Sequence, residues 1–506
     1  MRKPSSLPAL TVLFPALTVL LLALTFALPV LASVTTYHNS NRRHGLYVVP
    51  GLTPAAAATM HRDPGFAPVL DGHIYAQPLY WRPPGTKRGQ IIVATENNVV
   101  YALDELTGAV TWQTRLAPPV PLAHMPCGNI DPMGITGTPV IDPATGVVYM
   151  NAQTQTAEGP RHMVYALSLS NGALVPGWPL DVQAEMTNKG LVFDSKYHGE
   201  RSALLFVNGR IYVNYAGNSG DCGVYHGTVL EFQPSPPALL TAWQTRATRG
   251  GIWAQGGIAS DGQGLYATTG NTTRGTSEWS DGEAILRLRE GLAHSDSTKD
   301  FFTPSNWEAL DDDDRDLGGT EAIPINILKS GGGVARRVIA FGKDGNAYLV
   351  DRVDMGGIGG QIATLQISDR GIRNAPSAYQ TTDLTMIALG SNSTVDAACN
   401  NKKNLTVLKV AAGGPDPVSF AWCQPVDGAG APIITTTDRV ADPIAWMVGA
   451  EGDNMLHGFN LLTGEKVSDG GGFAMSGLHH FVTILATHRR LYVAADDTVY
   501  AFAFTP

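Results

Sequence analysis

Apolar and polar side chains alternate along residues 98–116 on both sides of a short polar turn. Residues 98–103 alternate as a half-buried strand does, and Val110, Trp112 and Thr114 resume the alternation after the turn. Gly108 lies in the turn, where a residue without a side chain can adopt a positive φ. The pattern predicts two antiparallel strands, with Trp112 placed to pack against a neighbouring sheet.

This hairpin pattern recurs along the chain. Eight copies occur at spacings of roughly 45 to 65 residues, beginning near residues 100, 163, 228, 284, 347, 405, 455 and 498. Two more strand-like runs precede each copy, for example residues 137–142 and 147–153 before the second. A repeat of several short strands is typical of a propeller or a solenoid. We therefore predict an all-β fold, an eight-bladed β-propeller whose blades are four-stranded antiparallel sheets with strands A to D.

The last copy has no fourth strand before Pro506. Closing a propeller with a strand from the other terminus removes an exposed sheet edge. The run from Phe66 to Gly72 precedes the first strand A and is predicted to complete the last blade. The predicted organisation is a signal peptide at 1–32, an N-terminal extension at 33–65 and a propeller at 66–506.

The first 32 residues have the pattern of an export signal. Arg2 and Lys3 precede an apolar run that ends near Leu31, and Val30 and Ala32 are small residues at cleavage positions. We expect cleavage near Ala32 and a secreted or periplasmic protein. The apolar run is also long enough to remain as an anchor, so an uncleaved leader is the alternative and the only expected membrane contact.

Composition narrows the function classes. Hydrophobic residues make up 44% of the chain and charged residues 16%, which is typical of a globular protein with a large core. The net charge is −9 and there are no basic blocks, so nucleic acid is not an expected partner. We expect a monomer.

Two of the copies resemble the repeat of the pyrroloquinoline quinone (PQQ) family. They are "VYALDELTGAVTWQTRL" and "VYALSLSNGALVPGW". The segments "GGIWAQGG", "FFTPSNWEALDDDDRDLGG" and "GKDGNAYLVDRVDMGG" extend the similarity to exported bacterial PQQ-repeat proteins of unassigned activity. The resemblance implies one of two functions: a quinoprotein dehydrogenase that binds PQQ and Ca²⁺ on the propeller axis, or a non-catalytic scaffold.

In such a blade the B-to-C and D-to-A connections lie on one face, and these connections are rich in polar residues. A quinone site needs a carboxylate base, oxygen ligands for Ca²⁺, a cation near the quinone oxygens and a flat aromatic ring. The predicted base is one of Glu200, Asp221 and Asp316. The predicted cofactor-binding residues are Trp253, Lys343, Arg201, Asn218 and Asn271. No metal ligands are assigned.

Other features favour a binding protein. Adjacent cysteines, which many alcohol-oxidising members carry under the quinone, do not occur, and there is no Cys-x-x-Cys-His motif for a c-type haem. The leading expectation is an exported binding or scaffold propeller whose polar face takes a protein, glycan or small-molecule ligand. The alternative is a PQQ- and Ca²⁺-dependent dehydrogenase that oxidises an alcohol or a sugar.

Three smaller patterns complete the predictions. The four cysteines are expected to pair as Cys127–Cys222 and Cys399–Cys423, each pair lying at the same end of its blades, with free buried thiols as the alternative. The run "DDDDRD" at 311–316 lacks the glycine and distal glutamate of an EF-hand loop and is expected to be a solvated loop rather than a Ca²⁺ site. His479 and His480 are expected to begin a strand and point to opposite faces.

Overall fold

The protein is a ring of eight antiparallel sheets. The computed structural model describes residues 33–273, 278–399 and 404–506. The strands of blades 1 to 4, in the order A to D, are Leu79–Trp81, Gln90–Ala94, Val99–Asp104 and Val110–Arg115; Val140–Asp142, Val147–Thr156, Gly159–Ser168 and Leu180–Asp181; Leu205–Val207, Arg210–Gly217, Thr228–Gln233 and Ala238–Gln244; and Ala259–Ser260, Leu265–Thr268, Ile285–Leu288 and Phe301–Thr303.

Blades 5 to 8 continue the ring. Their strands, in the same order, are Ile323–Leu328, Val334–Phe341, Asn346–Asp351 and Ala363–Gln366; Ser377–Gln380, Leu384–Ser391, Asn404–Ala411 and Val418–Pro425; Ile433–Thr436, Ile444–Val448, Leu456–Asn460 and Lys466–Ser468; and Ile484–Ala486, Arg490–Ala494, Val499–Ala503 and His61–Arg62. Each of the eight repeated hairpins contributes the third strand of a different blade. The predicted eight-bladed propeller is confirmed.

A strand from the N-terminal part closes the ring, but it is not the predicted one. His61–Arg62 pairs antiparallel with Val499–Ala503 and is the outer strand of blade 8. Residues 66–72 are irregular and follow that strand, with Leu70 N–H donating to Asp497 O at 2.8 Å. Phe66 instead buries its ring against Tyr492, with the ring centroids 5.3 Å apart. The prediction of residues 66–72 as the strand was wrong because Phe66 and Leu70 pack into the core shared by blades 8 and 1, while Val69 is exposed.

The first part of the N-terminal extension, residues 34–48, lies along the axis of the ring. Leu46–Val48 pairs in parallel with strand A of blade 7, on the inner edge of that sheet. Tyr37, His38 and Arg43 are almost completely buried. Since strand A is the inner strand of each blade, a segment that bonds to strand A of blade 7 occupies the channel.

The same segment bonds to every blade. Each contact reaches strand A or the residue next to it, and in order from blade 1 to blade 8 the contacts are Val34 N with Tyr80 O, Thr35 O with Ile141 N, Asn41 Nδ2 with Phe206 O, Asn41 O with Ser260 N, His44 Nε2 with Pro324 O, His44 O with Ala378 N, Gly45 O with Ile434 N, and His38 Nε2 with Thr483 Oγ1. Residues 34–45, which we call the axial plug, therefore fill the channel and tie all eight blades together.

The Thr-Gly turn of blade 1 shows how the repeat residues build the fold. Asp104 Oδ1 accepts hydrogen bonds from the N–H groups of Leu106 (3.0 Å) and Thr107 (2.9 Å), and Gly108 has φ of 71°. Trp112, as predicted, packs against the next blade, where its Nε1–H donates to Leu169 O at 3.0 Å. Trp422 of blade 6 repeats the contact with Leu461 O of blade 7 at 2.8 Å. The repeat motif thus specifies both the turn and the joint between neighbouring blades.

The remaining elements are short. The strands His198–Gly199 and Gly357–Ile358 extend blades 3 and 4. The α-helices are Pro54–Ala57, Val182–Asn188 and Trp307–Asp312, and the 3₁₀ helices are Tyr37–Asn39, Leu122–His124, Glu290–Leu292, Leu317–Gly319, Ala397–Cys399 and Gly470–Gly472. Among the described residues, no helix has the length and apolar character needed to cross a membrane. The predicted signal peptide lies outside the described residues.

Both predicted disulfides are confirmed. Cys127 is bonded to Cys222 and joins connections of blades 2 and 3 on the polar face. Cys399 is bonded to Cys423 within blade 6. Disulfides persist in oxidising compartments, so the pairing is compatible with export.

Candidate functional site

The polar face carries two adjoining cavities. The first, the side cavity, has a volume of about 320 Å³ and is lined mainly by connections of blades 2 to 5, with residues of the connections to blades 6 and 8. The second, the axial cavity, has a volume of about 300 Å³, and Tyr37 of the axial plug is among its lining residues. The two share five lining residues: Asn129, Thr136, Arg201, His480 and Phe481.

All the predicted catalytic and cofactor-binding residues line the side cavity. They are Glu200, Arg201, Asn218, Asp221, Trp253, Asn271, Asp316 and Lys343. They come from connections of blades 3, 4 and 5, which the ring places side by side. The structure shows this common location, while the chemical role of each residue stays a prediction.

Asp316 is the centre of this group. Its Oδ2 accepts a hydrogen bond from Trp253 Nε1 at 3.0 Å and lies 2.7 Å from Lys343 Nζ. Its Oδ1 accepts the backbone N–H of Asn271 at 3.0 Å. Lys343 Nζ also lies 5.1 Å from the centroid of the Trp253 ring. One carboxylate therefore fixes an aromatic ring, a cation and a loop.

The Asp316 side chain is only 5% exposed. Burial lowers the pKa of Lys343, but the Asp316 and Asp314 carboxylates outweigh burial and raise it overall. Lys343 is therefore a cation at neutral pH. A carboxylate has about four lone-pair positions, and the three donors leave one free to accept a proton or a substrate hydroxyl.

Glu283 supports Asp316 and was not among the predicted residues. It is buried, and its Oε2 accepts the N–H of Leu317, the residue next to Asp316, at 2.6 Å. Burial, with the nearby Asp316 charge, raises the pKa of Glu283 well above its ordinary value. In the sequence Glu283 follows "SDG" before a strand and resembles an ordinary turn residue, so no local pattern distinguishes it.

Glu200 lies in the wall of the cavity with one oxygen unsatisfied. Asn151 Nδ2 lies 3.4 Å from Glu200 Oε2, whereas Oε1 is buried and has no hydrogen-bond partner among the described residues. Gly137 packs so close that a Cβ at that position would lie 2.2 Å from Oε1. Burial raises the pKa of Glu200 well above its ordinary value, against the opposing effects of hydrogen bonds from Gly137 N–H and Asn151. A nearby cation would favour the ionised form of this carboxyl group.

Asn218 and Asp221 belong to the rim that the disulfide of Cys127 and Cys222 fixes. Asn218 Nδ2 donates to Lys196 O at 2.8 Å, and its Oδ1 is buried without a hydrogen-bond partner in the described part of the chain. Asp221 Oδ1 accepts the hydroxyl of Tyr225 at 2.6 Å. Two residues of the cavity lining, Glu200 and Asn218, thus each have a buried oxygen without a hydrogen-bond partner among the described residues.

Glu96 lies in the B-to-C connection of blade 1 and is not among the predicted site residues. Its Oε2 accepts the N–H of Gly134 at 2.6 Å, and its Oε1 has no hydrogen-bond partner among the described residues. Burial raises the pKa of Glu96 to about 7, against the opposing effects of Gly134 and Arg201. Glu96 therefore lies near Arg201 as a second buried carboxyl group behind the cavities.

The acidic run at 311–316 is not the solvated loop that was expected. Asp311 is buried at the end of a helix and accepts the N–H of Thr272 at 2.6 Å and its hydroxyl at 2.9 Å. Asp316 is buried beneath Lys343, while Asp312, Asp313 and Asp314 are exposed. The prediction was wrong because charge density in sequence says nothing about which members turn inward onto donors from blade 4.

His479 and His480 also differ from the prediction. They lie in a connection before strand A of blade 8, which begins at Ile484, and both line the axial cavity. His480 Nδ1 lies 2.7 Å from Glu451 Oε1, and His479 Nε2 contacts Asp496 Oδ1. Period-two alternation does not apply because these residues are not in a strand.

No family model matches the chain, and no curated protein matches its sequence. Solved structures do match its fold. The quinohemoprotein alcohol dehydrogenase from Comamonas testosteroni aligns with a TM-score of 0.65 and 13% identity over 93% of this chain and 80% of that one. A europium-containing methanol dehydrogenase aligns with a TM-score of 0.59 and 14% identity over 93% and 98%. BamB from Moraxella catarrhalis aligns with a TM-score of 0.50 and 14% identity over 88% and 98%.

These identities show a shared propeller fold and nothing finer. The fold occurs in dehydrogenases and in BamB, so the fold alone does not show which of the two functions expected from the sequence this chain has. The dehydrogenase and the binding protein must therefore be distinguished by the side chains around Asp316.

Proposed function

We propose that this protein is a member of the PQQ-repeat propellers that binds PQQ together with a divalent cation such as Ca²⁺ in the side cavity and oxidises an alcohol or a sugar there. The observation that carries the proposal is the Trp253–Asp316–Lys343 contact group, which lines the same cavity as Glu200 and Asn218. Glu200 and Asn218 each have a buried oxygen without a hydrogen-bond partner among the described residues. The expectation of an exported, non-catalytic binding propeller remains the competing hypothesis.

The donor set fits the cation. Ca²⁺ takes carboxylate and amide oxygens, and Glu200 Oε1 and Asn218 Oδ1 are buried oxygens of these two kinds without partners in the described chain. A cation beside Glu200 would offset the burial that raises the pKa of this carboxyl group. Glu200 and Asn218 are the residues we expect to hold it.

The remaining walls fit a planar anion. PQQ is a flat quinone with three carboxylates, and the cavity is lined by Arg201, Lys343 and Arg373 as well as by the half-buried ring of Trp253. A volume of about 320 Å³ lies in the range of small-molecule sites. Trp253 would support the ring system, and the three cations would meet the carboxylate and quinone oxygens.

Asp316 is the residue placed to act as general base. It keeps one lone-pair position after its three donors, and a substrate hydroxyl could donate its proton there. When bound, the quinone supplies the electron-accepting chemistry. Lys343 and Trp253 hold the carboxylate still, which limits the reorganisation needed as the proton arrives.

The test begins with ligand binding. The chain without its leader is melted with PQQ, with Ca²⁺ and with both, and it is then passed through gel filtration while the quinone absorbance is followed. A ligand that binds only the folded state raises the melting temperature, so we expect a rise of several degrees with both ligands and co-elution of the chromophore. No rise and no retained chromophore would contradict the proposal and favour the binding propeller.

Turnover with alcohols and sugars is then measured with an artificial electron acceptor. Asp316→Asn should lower turnover by about 100-fold or more while the quinone still binds, because loss of a general base removes a step of that size. Asp312→Asn, in the exposed part of the same acidic run, is the matched control and should behave as the wild type. Equal turnover in both variants would exclude Asp316 as the base.

A further inference from the structure

Three polar-face connections bring two histidines and one aspartate together beside blade 8. His73 Nδ1 lies 2.7 Å from Asp496 Oδ1, and His479 Nε2 contacts the same oxygen. The three ligand atoms all lie within 4.8 Å of one another. The residues are distant in sequence, so only closure of the ring between blades 8 and 1 assembles this group, which we call the His-Asp-His cluster.

Neighbouring contacts hold the cluster in place. The His479 ring stacks on Tyr75, with centroids 4.7 Å apart and planes at 25°. Asp496 N–H donates to Gly477 O at 2.9 Å, and Glu96 N–H donates to His73 O at 2.9 Å. The side chains of His73, His479 and Asp496 are 45%, 27% and 35% exposed, so ions can reach them.

We propose that His73, His479 and Asp496 bind a transition-metal dication such as Zn²⁺, Co²⁺ or Cu²⁺. Two imidazole nitrogens and one carboxylate oxygen are a ligand set that suits these ions, whereas Ca²⁺ and Mg²⁺ prefer oxygen ligands alone. Three protein ligands leave at least one coordination position for water or another donor. The site is separate from the oxygens of Glu200 and Asn218 that the proposed function assigns to Ca²⁺.

The position of the cluster indicates which kind of ligand could occupy the open coordination position of a bound ion. His479 lines the axial cavity, which adjoins the side cavity through Arg201, while His73 and Asp496 are not among the residues that line either cavity. A bound ion would therefore sit at the edge of the axial cavity. An anionic or imidazole-like ligand that entered this cavity could complete its coordination shell.

A second cluster provides an internal comparison. Asp281, His294 and Asp296 also place ligand atoms within 4.8 Å of one another. Arg246 already lies 2.8 Å from Asp281 Oδ1 and 3.1 Å from Asp296 Oδ1. Because a guanidinium cation neutralises those carboxylates, we expect no metal there, and His294 serves as the control position.

The experiment uses the full chain without its leader and without an affinity tag, stripped with EDTA. Co²⁺ is added while visible absorption is followed, and Zn²⁺ is titrated calorimetrically in the presence of millimolar Ca²⁺. We expect one equivalent of each ion, with nitrogen-ligand d–d bands for Co²⁺ and no displacement by Ca²⁺. Absence of the bands, or equal competition by Ca²⁺, would overturn the proposal.

His73→Gln and Asp496→Asn should each weaken Zn²⁺ binding by at least about 100-fold. Loss of a group outside the coordination shell weakens metal binding by up to about this factor, and loss of a ligand should cost at least as much. His294→Gln should bind as the wild type. Melting in EDTA checks that the variants fold, which their partial exposure favours. Zn²⁺ binding that persists unchanged in both ligand variants would show an adventitious surface site and overturn the assignment. The readout does not involve PQQ, so it is independent of the proposed function.

Discussion

The axial plug and the side cavity both bury an ionisable side chain, but the hydrogen bonds of Arg43 and Glu200 differ. Arg43 in the plug donates to Ile258 O, Leu204 O and Thr36 Oγ1 at 3.2, 3.1 and 2.7 Å. Glu200 in the cavity wall keeps one oxygen without a partner in the described chain. Hydrogen bonds to a buried charge keep it from destabilising the fold, whereas a buried polar atom that lacks a partner requires an explanation, and a ligand is one.

The pKa shifts follow the same division. Burial lowers the pKa of Arg43 to about 10, which leaves the guanidinium charged at neutral pH. Burial raises the pKa of Glu96 to about 7 and that of Glu200 well above its ordinary value. The plug therefore keeps its charge inside the protein, while burial favours the neutral form of the carboxyl groups near the cavities.

The largest effect on stability is expected when the charged side chain of Arg43 in the axial plug is replaced by an uncharged one. Arg43→Met should lower the free energy of unfolding by about 3–5 kcal/mol, because two backbone carbonyls and a hydroxyl lose their buried partner. Urea denaturation followed by tryptophan fluorescence measures this loss. Arg42→Met, at the half-exposed neighbouring position, is the control and should change little. An equal loss of unfolding free energy in the two variants would mean that Arg43 stabilises the fold through its charge alone and not through these hydrogen bonds.

The second prediction concerns pH. The Glu96 carboxyl group holds its proton up to about pH 7 in the folded protein, against the ordinary value of 4.5. The folded state therefore binds more protons than the unfolded state between these values, so the stability that Glu96 contributes falls as the pH rises from 4.5 to 7. The difference corresponds to about 3 kcal/mol above this range.

Glu96→Gln should remove that loss, because a neutral amide keeps an acceptor for Gly134 N–H. Without added cation, the variant should be more stable than the wild type at pH 8 and about as stable near pH 4, as measured by urea denaturation across the range. Glu308→Gln, at an exposed position, should leave the pH profile unchanged. A wild-type profile for Glu96→Gln would show that this carboxyl group is already compensated.

The smallest effect on stability is expected from removing one hydrogen bond inside the axial plug. Thr36→Val removes only the hydroxyl that Arg43 Nη1 meets at 2.7 Å and should cost about 1 kcal/mol or slightly more. The melting-temperature rise caused by PQQ and Ca²⁺ should stay the same, since the side cavity does not contain Thr36. Thr35→Val, at a half-exposed position, is the control. A weakened ligand response in Thr36→Val would show that plug and cavity are coupled.

The sequence by itself determined the repeat, the number of blades and the face that carries the polar connections. These follow from local rules: strand alternation with period two, the Asp-x-x-Thr-Gly type of turn and the tryptophan that reaches the next blade. The two disulfides could also be predicted from the sequence, because the blade pattern fixes which connections lie at the same end of the blades. All these features depend on residues near one another in the chain or on the regular geometry of the repeat.

Only the tertiary structure decided the rest. The closing strand at His61–Arg62, the axial plug, the support of Asp316 by Glu283 and the His-Asp-His cluster all join residues that lie far apart in the chain. The sequence placed the eight candidate residues on one face, but whether a carboxyl group there is buried, paired or left open depends on which neighbours the closed ring supplies. Burial and hydrogen-bond satisfaction are properties of that packing, and no local pattern records them.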